Sequence, residues 1–231
     1  LVGVQRTLKN PDMVLNDISG IKNIANLSKN TGVKRVFFSS SSEVYGEPGE
    51  IPQNEDTTPL NSILPYAVVK NIGEAYFKSY QLEFGLDFTI FRFFNTYGVK
   101  QSADFVVSKF IKAALKNEDI TIYGDGSQIR TFCYVDDNVK ACINAFYENK
   151  FVNDVVNIGS DKVVEIIELA KIIIKLTGSS SKIVNLPPLE QGDMQRRKPD
   201  ITKMKTLFSG SMISLEEGMK KIIDKPRFIL S

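Results

Sequence analysis

A chain of 231 residues with 42% hydrophobic and 24% charged content lies in the ordinary globular range, enough for one sizeable domain or two small ones. Its 29 basic and 27 acidic residues leave a formal charge of +2, too weak a field to point to nucleic acid or an anionic membrane. Histidine is absent, so a His triad, a His-ligated zinc and a His general base are excluded, and any acid or base must be Tyr, Lys, Asp, Glu or Cys. Cys133 and Cys142 lack metal-ligand spacing and fit a reduced, cytoplasmic compartment better than a disulfide framework. No metal is expected, and no apolar run approaches the roughly 20 residues of a membrane span.

Leu1 falls inside what reads as an element, so an N-terminal segment is expected to precede it. Val14, Ile18, Ile21, Ile24, Ala25 and Leu27 recur at helical spacing between Pro11 and Asn30, with Gly32 as a stop. Lys34 to Ser39 is a short apolar run suited to a strand buried on both faces, and it delivers the cluster Ser39-Ser40-Ser41-Ser42 to a strand's carboxyl end. Ligands bind outside those ends in open α/β sheets. A proline-bearing loop over 47–64 leads into a helix from Pro65 to about Phe84, closed by Gly85, and a strand over 86–94 follows. Helix then strand, twice over, predicts a parallel sheet with crossover helices.

Beyond Gly98 the pattern shortens. A helix is expected near 104–116, strands at 120–123 and 131–135 around a Gly124-Asp125-Gly126 turn, and a helix at 137–148. A strand end at 155–159 and helices at 164–177 and 215–223 complete the reading.

Tyr66 and Lys70 stand one helical turn apart, so the ammonium can lie near the phenol and lower its pKa from about 10. A serine hydroxyl alongside could hold a substrate alcohol while the phenolate takes its proton. The spacing alone is weak, since a chain with 8 tyrosines and this many lysines shows such a pair about once by chance.

Five ordered segments give it weight: Ser40-Ser41-Ser42-Glu43-Val44-Tyr45-Gly46, the Tyr66/Lys70 pair, Phe94-Asn95-Thr96-Tyr97-Gly98, Ile122-Tyr123-Gly124-Asp125-Gly126-Ser127-Gln128-Ile129-Arg130-Thr131-Phe132, and Arg196-Arg197-Lys198-Pro199-Asp200-Ile201. In this order they resemble the extended short-chain dehydrogenases that modify nucleotide sugars, among them UDP-glucose 4-epimerases, dTDP-glucose 4,6-dehydratases and UDP-glucuronate decarboxylases. The resemblance implies a Rossmann-like, doubly wound parallel sheet with a smaller α+β substrate domain. Residues 1–98 and 130–150 would form the cofactor domain, and 99–129 with 151–231 the substrate domain. It further implies NAD as cofactor, a nucleotide sugar as partner, and a homodimer pairing helices near 12–30 and 63–85 as a four-helix bundle.

By the same resemblance Ser41, Glu43, Tyr66, Lys70 and Arg130 would be catalytic, and Ser39, Ser40, Tyr66, Lys70 and Phe94 would contact the cofactor. Ser42, Asn95, Val107, Lys109, Tyr123, Arg130 and Arg197 would bind substrate, with Arg197 and Arg130 as candidates for the diphosphate and Arg130 also for a sugar carboxylate. Ser42 stands where dehydratases carry an acidic residue, and a hydroxyl is too weak an acid to expel water, so dehydration is disfavoured. UDP-glucuronate decarboxylation is the leading expectation, 4-epimerisation the alternative, and a non-catalytic nucleotide-sugar module a third. Neither Gly-x-x-Gly-x-x-Gly nor Gly-x-Gly-x-x-Gly occurs, so the pyrophosphate turn is expected to lie outside this sequence and the chain alone to be inactive.

Overall fold

The computed structural model describes residues 4–61, 63–188 and 196–226. In chain order they form α1 (Val4–Lys9), α2 (Pro11–Leu15), α3 (Asp17–Asn30), β1 (Arg35–Ser41), a 3-10 turn (Ser42–Tyr45), α4 (Pro65–Phe84), β2 (Asp87–Phe93), β3 (Thr96–Tyr97) and α5 (Val106–Leu115). Then come β4 (Ile120–Tyr123), β5 (Ile129–Thr131), β6 (Cys133–Tyr134), α6 (Val135–Tyr147), β7 (Asp154–Ile158), β8 (Val163–Glu165), α7 (Ile166–Thr177), β9 (Ile183–Leu186), α8 (Thr202–Lys205) and α9 (Leu215–Ile223). Among these residues no helix is long and apolar enough to cross a membrane.

The central sheet is parallel in the order β1-β2-β7. This is a Rossmann-like α/β arrangement. Phe88, Ile90 and Phe91 are buried because both faces of β2 are covered, which is why the sequence reads as a continuous apolar run rather than an alternation. α4 starts with Pro65 in its first turn and ends on Gly85, whose left-handed backbone (φ 68°) lets its N–H cap the carbonyls of Tyr80 and Gln81. It packs along β1 and against α3. A second core collects Val107, Phe110, Ile111, Ile120, Ile122, Leu169 and Ile173 from α5, β4 and α7, closed by Met219 and Ile222 of α9.

Several expectations are corrected. The helix over 11–30 is interrupted at Asn16, and the strand at 131–135 is two short strands, with α6 opening at Val135. β7 is the third strand of the central sheet, and Ile201, Met204 and Leu207 share a core with Phe91, Val156 and Ile158. β5, which carries Arg130, pairs antiparallel with β8.

The seat of α4 on β1 depends on Gly73, where an added Cβ would come within 2.2 Å of the Phe38 ring. Alanine in a helix interior normally gains about 1 kcal/mol over glycine, but overpacking here costs about 1–3 kcal/mol. Chemical denaturation of G73A is therefore expected to show a net loss of about 1 kcal/mol; a gain would mean that α4 does not rest on Phe38.

Candidate active site

Strand β1 ends in serines because a polar rim lies above the buried part of the sheet. Ser41 terminates the strand and its hydroxyl accepts from the Glu43 N–H at 3.2 Å, capping the 3-10 turn that folds Ser42, Glu43, Val44 and Tyr45 inward. Tyr66 and Lys70 face this strand end from the first two turns of α4. The Tyr66 hydroxyl hydrogen-bonds the Ser41 side chain, and Lys70 Nζ donates to the Ser39 carbonyl at 2.8 Å. The pair does share a helix face, with Nζ 5.7 Å from the Tyr66 ring centroid.

The electrostatics differ from the sequence expectation. Burial pushes the Tyr66 phenol above its ordinary value, reinforced by the nearby carboxylates Glu43 and Asp17, while the bond to Ser41 only partly offsets it. Lys70 is itself pushed down by burial and supported by Asp17, and its ammonium is bonded to a backbone carbonyl beside the ring rather than to the phenol oxygen. Desolvation governs the phenol. Asp17 and its effect on both groups were not legible in the sequence, since only the docking of α3 brings it there.

Two other expected contacts take different positions. Ser40 is buried and its hydroxyl donates to Glu74 Oε1 at 2.6 Å, so its side chain faces the interior rather than a cofactor. Phe94 is fully buried against Val44 and Tyr45, leaving no side-chain surface for a ligand. Val107 likewise lies in the second core. Its neighbour Val106 lines the cleft instead, because successive residues on a helix point about 100° apart.

That cleft, of about 230 Å³, brings together Asn95, Lys109, Tyr123 and Arg130 across α5, β4 and β5. Lys109 Nζ sits 5.7 Å from the Tyr123 ring centroid. Asn95 adopts φ 33°, a left-handed conformation that asparagine tolerates, and its Nδ2 donates to the Thr131 carbonyl at 2.9 Å, pinning the corner between the two regions. An aromatic face with two cations suits a base and its phosphates.

Arg197 is not in this cleft. Its guanidinium pairs with Glu43 Oε1 at 2.9 Å and reaches Ser42 Oγ at 3.4 Å, both buried. A backbone strap carries it there: Gln53 N–H donates to the Lys198 carbonyl, Asp200 N–H to the Gln53 carbonyl, and Asn157 Nδ2 to the carbonyls of both Gln53 and Asp200. Gly159 makes room for the strap, since a Cβ would sit 2.9 Å from Pro199. Among the described residues Glu43 Oε2 is buried without a hydrogen-bond partner.

The fold and site thus define an α/β protein with a Ser-Tyr-Lys cluster at the carboxyl rim of a parallel sheet and a cleft lined by an aromatic ring and two cations beside it. Residues 1–159 match the model of the NAD dependent epimerase/dehydratase family, and the chain belongs to that family. The UDP-N-acetyl-alpha-D-glucosaminuronate decarboxylase of Bacillus cytotoxicus is 38% identical over 238 residues, covering 96% of this chain and 73% of that protein. The UDP-glucuronic acid decarboxylase 1 of Danio rerio is 38% identical over 211 residues, 88% of this chain and 50% of its own length. Among solved structures, the UDP-glucose 4-epimerase of Thermotoga maritima with UDP-glucose superposes with a TM-score of 0.92 at 32% identity, covering 100% of this chain and 75% of that one.

NAD is the cofactor of this family, and part of the site fits it. Lys70 offers three N–H donors and uses one on Ser39, leaving two for a ribose diol at the open rim.

With the Y66F variant as the reference, the Tyr66 phenol in the ligand-free protein is expected to ionise above pH 10 in a difference absorbance titration. Neutral Tyr66 favours the fold fully below pH 10, and that contribution is lost as pH rises toward the folded-state value. Ionisation below 10 would mean that Lys70, not burial, governs the phenol.

Proposed function

We propose that this chain carries the sugar-processing part of an enzyme that oxidises a nucleotide sugar transiently at C4, and that its substrate is a UDP-hexuronate such as UDP-glucuronate, decarboxylated to the UDP-pentose. The observation that carries this reading is the position of Arg197. A guanidinium held at Ser42 and Glu43, one and two residues beyond Ser41, lies at the sugar end, where a C5 carboxylate next to a C4 hydroxyl at Ser41 and Tyr66 would reach it.

Ser41 and Tyr66 hold the C4 hydroxyl between them, and Tyr66, once ionised, accepts its proton. NAD, held at its ribose by Lys70, would supply a reversible hydride acceptor for C4. With a ketone at C4 the C5 carboxylate is a β-keto acid, so the C5–carboxyl bond breaks, its electron pair moves toward the C4 carbonyl, carbon dioxide leaves, and C5 takes up a proton. Arg197 orients the carboxylate before that bond breaks, and Glu43 Oε2 is available to a sugar hydroxyl. Lys109 and Arg130 meet the diphosphate and Tyr123 the base.

A 4-epimerase reading uses the same first step without loss of carbon dioxide. The Thermotoga structure and the spelling Tyr66-Ala67-Val68-Val69-Lys70 favour it. The exposed apolar residues Met13, Ile24, Leu27 and Leu82 support a homodimer through α2, α3 and α4, and the free cysteines suit the cytoplasm.

Incubating the full-length protein with NAD and UDP-glucuronate is expected to release carbon dioxide and a UDP-pentose; a C4 epimer as sole product would overturn the leading reading. R197A should lower kcat/KM for UDP-glucuronate about 30-fold or more, the cost of an unpaired anion contact. UDP affinity should stay within a few-fold, and K109A should show the reverse pattern.

A further inference from the structure

Three strands of the central sheet carry one polar residue each at a single level. Ser40 of β1 is in register with Arg92 of β2, and Arg92 with Asn157 of β7. Their relative exposures are 4%, 2% and 0%. Glu74 of α4 meets this row. It accepts from Ser40 Oγ at 2.6 Å and Arg92 Nε at 3.0 Å on one oxygen, and from Arg92 Nη2 at 2.8 Å on the other. Arg92 Nη1 continues to the Tyr45 hydroxyl at 2.8 Å, which donates to Asn157 Oδ1 at 2.7 Å.

Tyr66, Lys70 and Glu74 occupy one stripe of α4 at successive turns. Each grips a different residue at the end of β1: Tyr66 the Ser41 side chain, Lys70 the Ser39 carbonyl, Glu74 the Ser40 hydroxyl. The first two contacts lie at an open rim, and the third is locked in the interior by a two-pronged ion pair. A bonded pair in low dielectric has few alternative geometries, so it fixes the helix along the strand more sharply than an apolar contact could.

From this geometry we infer that Glu74, clamped by Arg92 and acting through Ser40, is a positioning residue that sets Tyr66 against Ser41 for proton transfer. The inference rests on the functional reading above only for its kinetic readout. Ser40 touches neither substrate nor reacting atoms.

The test is S40A in the full-length protein, a variant that keeps the Glu74–Arg92 pair and removes one hydroxyl. Expected are a fall in kcat of about tenfold or more, the scale of one hydrogen bond to a charged group, and KM and UDP affinity within about twofold. The acid limb of the kcat profile and the ligand-free Tyr66 titration should both move to higher pH, because a displaced Ser41 no longer favours the phenolate. Glu43 from the 3-10 turn, Asp17 from α3 and Lys70 from α4 face the same phenol and are unchanged in the variant. S40T, which restores the hydroxyl, should recover both. A lower melting temperature with an unaltered profile and Tyr66 titration would overturn the inference. If the wild type turns over no nucleotide sugar, the functional reading fails while the Tyr66 titration still decides this one. E74Q should show the larger effect of the same sign, and should it fail to fold, S40A carries the test alone.

Discussion

Everything at the carboxyl rim of this sheet rests on a buried ion pair between Glu74 and Arg92, each 2% exposed. Removing one partner of such a pair costs about 3–5 kcal/mol, since the other charge is left in the interior, whereas the intact pair adds little net stability over apolar residues of the same volume. Its value here is geometric. The carboxylate uses both oxygens and the guanidinium three nitrogens, and the remaining bonds run to Ser40 and through Tyr45 to Asn157. One connected set of hydrogen bonds therefore spans α4, all three strands, the 3-10 turn and the strap that carries Arg197. Burial pushes Tyr45 up to about 12 against the opposing pull of Arg92, so this set keeps its protons through ordinary pH.

The site is built in two parts with separate supports. The proposed sugar end depends on β1, α4 and the strap over 196–200, tied down at Asn157. The proposed nucleotide cleft depends on α5, β4 and β5 around the second core, and meets the first part at Asn95, where a left-handed residue turns the chain between them. Because the supports share few residues, the two parts can vary separately. This is consistent with a family whose members named above act on related UDP-sugars in different ways.

What the sequence showed and what it hid follow one physical line. Periodicity and punctuation located β1, α4, β2, β4 and α9 closely, since Pro65, Gly85 and runs such as Phe91 to Phe94 carry their signals locally. The Tyr66/Lys70 stripe and the Ser41 rim were legible for the same reason. Which serine of a cluster faces the helix is not local: Ser40 and Ser41 differ only in strand phase and in what α4 presents to them. Arg197 read as a phosphate ligand because its motif says cation and nothing about direction; the strap through Gln53 and Asn157 decides that. Buried Arg92 and Glu74 were invisible, since each alone looks like an ordinary surface charge, and only the packing of α4 on the sheet brings them together.

Gly73 sits between Lys70 and Glu74 and lets the helix lie directly on the Phe38 ring. Closeness is bought there with chain flexibility in the very helix that must hold the phenol still. Gly20 in α3 is a different case, with open space where its Cβ would fall and no unusual φ. A protein engineer seeking heat tolerance through reduced unfolded-state freedom has room at Gly20, for about 0.5–1 kcal/mol, and none at Gly73. The residue that most weakens the central helix is thus the one that proximity to the strand makes hardest to replace.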